Sequence, residues 1–176
     1  SKFGGSSFFG GTLFPSFTLT GLEVAYDPSV EFGAGDFSID FWMHPIASDM
    51  VANPMVLSRW ETAAGPGRSW YIQLLATAIR FRAITTSGDY IIDFAFGSPK
   101  EVVVNTFSYI RICRSGTSLF CFVDGVQIDI AKSILGTLPV IATLNMYVGN
   151  YYDSGFTSPF KGYIDDVRIT PGAARS

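Results

Sequence analysis

The chain is 176 residues long, 48% hydrophobic and 15% aromatic, with 15% charged residues and a formal net charge of -3. So much apolar material excludes a disordered chain, and the slightly acidic balance lacks the basic footprint of a nucleic-acid binder. One domain is expected over residues 1–176, long enough to bury a real core and too short for two.

No run approaches the ~18 apolar residues of a membrane span, so membrane insertion is not expected. Ser1-Lys2-Phe3-Gly4-Gly5 lacks the charged and apolar regions of a secretory signal. Without an initiator Met, the chain reads as processed or as a piece of a longer one. The 18 glycines and 9 prolines follow no period and signal many turns rather than a collagen repeat.

The dominant hydrophobic period is two, which predicts half-buried strands. Short ones are expected near residues 7–10 and 21–25. After the turn signal Gly33-Ala34-Gly35-Asp36 comes a strand near 36–44. There Phe37, Ile39, Phe41 and Met43 alternate with Ser38, Asp40, Trp42 and His44. Strands near 55–60 and 69–75 flank a long irregular loop from Glu61 to Arg68. Strands near 78–85 and 89–96 follow, separated by Ser87-Gly88-Asp89. A hairpin, near 106–114 and 117–123, turns around Ser115-Gly116. Asp124-Gly125 then leads into a strand near 126–130, and Ala131 to Leu135 is the one helical turn expected. Strands near 143–149 and 160–169 close the series, with a second long loop from Asn150 to Pro159 between them. About a dozen short strands with regular turn signals predict a sandwich or barrel.

Cys113 and Cys121 both fall in the hairpin. A two-residue turn at Ser115-Gly116 puts them on opposite faces. A loop one residue longer puts them on one face but roughly 13 Å apart at ~3.4 Å per residue, beyond disulfide reach. Two free, core-type thiols are expected, which fits assembly in a reducing cytosol.

The titratable residues are too scattered for catalysis. Retaining glycan hydrolysis needs carboxyl groups ~5–5.5 Å apart, yet Glu23, Glu31, Glu61 and Glu101 are the only glutamates and none has another close in sequence. Asp40 and Asp93 lie on strands in isolation, and an inverting pair of Asp from different strands stays geometrically open. His44, the only histidine, reads as a partly exposed strand-end imidazole. Cys and His pairs with zinc spacing are missing, and the Gly-rich stretches precede strands rather than phosphate-cradling helices. The chain is therefore not expected to be an enzyme.

Binding residues are sought in the loops. Trp60 and Trp70 flank the first long loop, and Tyr151 and Tyr152 sit with Asp153 and Phe156 in the second. These aromatics are expected to face solvent and to form a glycan-contact rim, against the alternative that they cover sandwich edges. Trp42 is read as core. Arg80 and Arg82 share a face, and Arg111 sits among Phe107 and Tyr109. Cross-strand pairing is the expected use of these cations, ahead of acidic-sugar binding. Within Tyr163 to Ile169, alternation puts Asp165 on the face of Val167 and Ile169. If that face is buried, Asp165 must be paired, hydrogen-bonded or metal-bound. The apolar surplus predicts subunit contacts, hence a homo-oligomer or particle component.

Several phrases occur in a distinctive order. They are Gly4-Gly5-Ser6-Ser7-Phe8-Phe9, then Phe32-Gly33-Ala34-Gly35-Asp36-Phe37-Ser38-Ile39-Asp40-Phe41-Trp42, then Arg114-Ser115-Gly116-Thr117. Phe122-Val123-Asp124-Gly125-Val126 and Gly162-Tyr163-Ile164-Asp165-Asp166-Val167-Arg168-Ile169 complete the set. The series resembles the laminin-G-like jelly rolls of the concanavalin A-like lectin/glucanase superfamily. Its ending, Arg168-Ile169-Thr170-Pro171-Gly172-Ala173-Ala174-Arg175, is similar to the version common in bacteriophage virion and tail-fibre proteins.

The resemblance implies an all-β fold, a two-sheet antiparallel jelly-roll sandwich with a curved concave sheet. Family members bind glycans or proteins, or build particles. The hydrolase cousins carry two close Glu on one strand, a motif missing here. An Asp at the position of Asp165 is implied to hold a structural calcium with backbone carbonyls of early segments, where this chain has Gly10-Gly11 in place of the frequent Asp-Gly. Fold alone does not fix function. The expected role is a non-catalytic virion structural or adhesion module, of a phage fibre or capsid, for glycan attachment or particle assembly. The alternative is an extracellular bacterial or eukaryotic carbohydrate-binding module. Expected partners are further copies, other virion proteins and a cell-surface glycan.

Overall fold

Each period-two segment forms a strand in the computed structural model, which describes residues 7–9, 21–46, 53–61, 67–76, 78–86, 91–97, 100–150 and 158–175. The strands are β1 (Ser7–Phe9), β2 (Leu22–Val24), β3 (Phe37–Pro45), β4 (Met55–Trp60), β5 (Arg68–Leu74) and β6 (Ile79–Ile84). They continue as β7 (Ile91–Phe96), β8 (Ser108–Ser115), β9 (Ser118–Val123), β10 (Val126–Ser133), β11 (Met146–Val148) and β12 (Gly162–Pro171). Two six-stranded sheets result, ordered β1-β12-β3-β8-β9-β10 and β2-β11-β4-β5-β6-β7, with antiparallel neighbours throughout. This is the expected all-β jelly-roll sandwich.

The core lies between the sheets. Phe37, Ile39, Phe41 and Met43 of β3, with Ile110, Ile112, Leu119 and Cys121, meet Leu57, Trp70, Ile72, Phe81 and Phe96 of the second sheet. Phe32 stacks on Phe37 at 4.0 Å between centroids and on Trp70 at 5.5 Å, and Trp70 stacks on Phe81 at 6.5 Å. Each such side chain contributes about 1.5–3 kcal/mol by burial. Arg59 brings a charge into this interior. Register places Arg59 opposite Trp70, and the guanidinium is wholly buried, paired with Glu31 at 2.7 Å. It also donates to the carbonyls of Leu144 and Ile141.

Turn chemistry fixes which side chains face outward. Ser115 pairs with Ser118, so the two-residue turn is Gly116-Thr117, one position beyond expectation. Gly116 has φ +59, the left-handed value that a type II′ hairpin asks of its first residue. Cys113 then pairs with Phe120 and Cys121 with Ile112, on opposite faces of the sheet. Both thiols are free and buried, as expected.

Two expectations are corrected here. The helical turn over Ala131–Leu135 does not form, because β10 stays paired with β9 through a bulge between Ile128 and Lys132, and Ile134 is anchored in the core. A 3₁₀ turn lies instead at Pro28–Val30, capped by Asp27. In β12, Asp165 pairs with Trp42 but Arg168 pairs with Asp40. Asp166 and Val167 thus oppose the single residue Phe41, and the inserted Asp166 takes φ +48. The bulge reverses the alternation, so Asp165 shares the outward face of Trp42 rather than that of Val167 and Ile169.

Candidate functional site

The outer face of the first sheet carries side chains in cross-strand rows. One row is Arg168–Asp40–Arg111–Phe122–Gln127. Beside it run Asp165–Trp42–Tyr109 on one flank and Thr170–Ser38–Cys113–Phe120 on the other, and Tyr163–His44 lies one step further. Because β3, β8 and β9 alternate, these residues point away from the core that their neighbours fill.

Rings dominate this face. Trp42 lies 5.3 Å from Tyr109, His44 lies 4.9 Å from Phe107 and 5.6 Å from Tyr163, and Phe120 lies 6.5 Å from Phe122. All seven are half-buried, neither core nor fully solvated. The expectation that Trp42 belongs to the core is corrected: β3 gives its inner face to Phe41 and Met43, and Trp42 takes the other.

A polar network sits among the rings. Asp40 is only 2% exposed, and its Oδ1 accepts from the Tyr109 hydroxyl at 2.7 Å and from Arg111 Nε at 2.6 Å. Arg111 Nη2 donates to the Tyr109 oxygen at 3.2 Å, and the guanidinium lies over the Tyr109 ring. Asp40 Oδ2 has no hydrogen-bond partner among the described residues. Burial, reinforced by the bond donated to Asp40, raises the Tyr109 phenol above its ordinary value. Arg111 is thus committed to a cross-strand pair, as expected.

A cavity of about 280 Å³ opens on the same face, where Phe120, Phe122, Cys113 and Gln127 meet Ala174 and Arg175. Burial pushes the Cys113 thiol up. The last residues are tied down there. Ser38 Oγ donates to the Ala173 carbonyl at 2.9 Å and accepts from the Arg175 amide at 2.7 Å.

The expected loop rim is placed differently. Trp70 is fully buried, because its register with Arg59 and Ala83 turns it inward. Trp60 is 7% exposed, edge-on to Tyr71 at 5.0 Å and beneath the Arg68 and Arg82 guanidiniums. The expectation that these two tryptophans face solvent is corrected. Tyr151 and Tyr152 lie outside the described residues. Arg80 and Arg82 both pair with Asp93 across strands, at 3.2 and 3.8 Å. Asp93 faces outward from the second sheet and Asp40 from the first, so the whole sandwich separates them and they cannot flank one glycosidic bond.

Asp165 is half-exposed, and its Oδ1 accepts from the Asp166 amide at 2.9 Å. Among the described residues no group of three or more His, Cys, Asp or Glu could hold a metal ion. Gly10 and Gly11, whose segment would supply the implied carbonyls, lie outside them. Nor is any described helix long and apolar enough to cross a membrane.

Phe120 and Phe122 are absent from the sequence-predicted site residues, and Tyr109 enters there only as a neighbour of Arg111. Their signal was the aromatic alternation on both hairpin strands, hidden because these strands bear apolar side chains on both faces.

A family profile described as the concanavalin A-like lectin/glucanases superfamily matches residues 21–175. No curated protein matches. Among solved structures, the binding domain of Paraclostridial Mosquitocidal Protein 1 is similar with a TM-score of 0.67 and 18% identity. The alignment covers 88% of this chain, which spans only 38% of that one. The CBM40 of the Ruminococcus gnavus IT-sialidase, bound to α2,3-sialyllactose, is similar with a TM-score of 0.65 and 14% identity, over 91% of this chain and 94% of that one. Mouse laminin α1 domains LG4-5 align with a TM-score of 0.61 and 15% identity, over 93% of this chain and 40% of that one.

Proposed function

The chain belongs to the concanavalin A-like lectin/glucanase superfamily, and on that footing we propose that residues 1–176 form one non-catalytic glycan-binding module. Its contact surface is the outer face of the first sheet. The observation that carries this reading is the field of half-exposed rings around Trp42 and Tyr109, set about the Asp40–Arg111 pair. Sugar rings present apolar C–H faces that cover such rings, while their hydroxyls meet the polar groups between them. Tyr, Trp and Arg are also the residues that most often dominate contact energies. Structural relatives that are a toxin's binding domain and a CBM40 bound to sialyllactose support the same reading. Screening the protein on a glycan array tests it. Retention of at least one glycan class, lost in Trp42→Ala without loss of folding, is expected. No retained glycan, or an unaffected Trp42→Ala variant, would overturn it.

The module serves attachment of a virion, a placement supported by the phage-like ending Arg168–Arg175. Self-association into a fibre or shell is favoured by Val126 and Ile130, 45% and 74% exposed on the edge strand β10. Mass spectrometry of purified particles and light scattering test these two points. A monomer missing from particles yet retaining a glycan would favour the alternative, a secreted carbohydrate-binding module. A calcium ion at Asp165 belongs to this proposal on family resemblance.

A further inference from the structure

The cavity beside Phe120 and Phe122 has a chemical direction of its own. The two rings alternate on β9, lie within 25° of parallel and are half-exposed, so they present one apolar wall. Among the described residues Arg175 is the only charged one lining the space, and it forms no ion pair with any of them. Asp40 is engaged by Arg111 and Tyr109, Asp36 by the Gly116 amide at 2.7 Å, and Asp129 by Lys132 at 2.8 Å. Gln127 adds an amide at the edge.

The backbone that carries Arg175 is also anchored before any ligand arrives. Its amide is bonded to Ser38 Oγ, and the Gly172 amide donates to the Asp36 carbonyl at 2.7 Å. Preorganised groups lose less freedom on binding. A small inorganic anion would leave the rings unused, and an uncharged apolar ring would leave Arg175 unused. A ring with one apolar face and one carboxylate uses both.

We infer that this cavity is a subsite for a carboxylate-bearing sugar, an inference that rests on the glycan-binding reading above and specifies its ligand class. Three pairs of methyl glycosides test it: glucuronide with glucoside, galacturonide with galactoside, and sialoside with its carboxyl-reduced twin. Each pair differs essentially in one carboxylate. Binding is measured by calorimetry, and occupancy by the rate at which iodoacetamide alkylates Cys113. At least one acid should bind about tenfold or more tightly than its neutral twin, the scale of one charge-assisted hydrogen bond. It should slow alkylation of Cys113, and Arg175→Gln should remove the preference. Phe122→Ala should weaken both twins alike. Equal binding of acids and twins, or a preference that survives Arg175→Gln, would overturn the inference and leave the glycan-binding reading standing. If no glycoside binds and the array is blank, both fall.

Discussion

The Tyr109 hydroxyl donates to Asp40 Oδ1 across the β3–β8 pairing, and Arg111 closes the triangle by bonding to both. Asp40 is thereby the keystone of the aromatic face, although it is almost inaccessible itself. Asp40→Asn should lower stability by about 2 kcal/mol, because it turns a charge-assisted bond into a neutral one and leaves Arg111 without its counterion. Urea denaturation would measure this, and an unchanged midpoint would show that the network holds nothing together.

The same network sets an alkaline limit. The fold raises the Tyr109 pKa above its usual 10.0, so between the unfolded and folded values the native state binds more protons than the unfolded state. Stability contributed by the neutral phenol is present below pH 10 and lost as pH rises through the folded value. Thermal melts of wild type and Tyr109→Phe from pH 8 upward should converge above pH 10. A constant gap would refute this.

In the interior, Glu31→Ala would leave the Arg59 guanidinium wholly buried opposite no carboxylate. A loss of about 3–5 kcal/mol is expected, as for other broken buried pairs. Denaturant titration checks it, and a loss under 1 kcal/mol would mean that the carbonyls of Leu144 and Ile141 suffice.

The thiols should react in order. Burial raises both, Cys121 more strongly, and Cys113 borders a cavity. Slow labelling of one thiol in the native protein and of two after denaturation is expected. Peptide mapping that finds Cys121 modified first would contradict the placement.

A calcium at Asp165 predicts that adding the ion raises the melting temperature and that a chelator reverses it, through linkage to the folded state. Asp165→Asn should blunt the response. Identical melts with chelator and with millimolar calcium would remove the ion from the account.

Strand positions were legible because alternation is a local property: the twelve segments read from residues such as Phe37 to His44 all pair as strands. Faces were harder. One inserted residue in β12 turned Asp165 outward, and nothing in Ile164-Asp165-Asp166-Val167 announces it, since a bulge is set by the register of a partner distant in sequence. Trp70 was misplaced for a related reason. Both faces of β5 are buried, so neither Ser69, Trp70 nor Tyr71 marks the solvent side. Trp42 erred in the opposite direction, because an aromatic side chain on an outward row looks like core until its neighbours across the sheet are known.

The opposite orientations of Cys113 and Cys121 on one hairpin have a bearing on life history. With the backbone of their own sheet between them, the two sulfurs have no route to each other short of unfolding. In the native fold this pair therefore cannot close into an internal disulfide, whatever the redox surroundings of the domain.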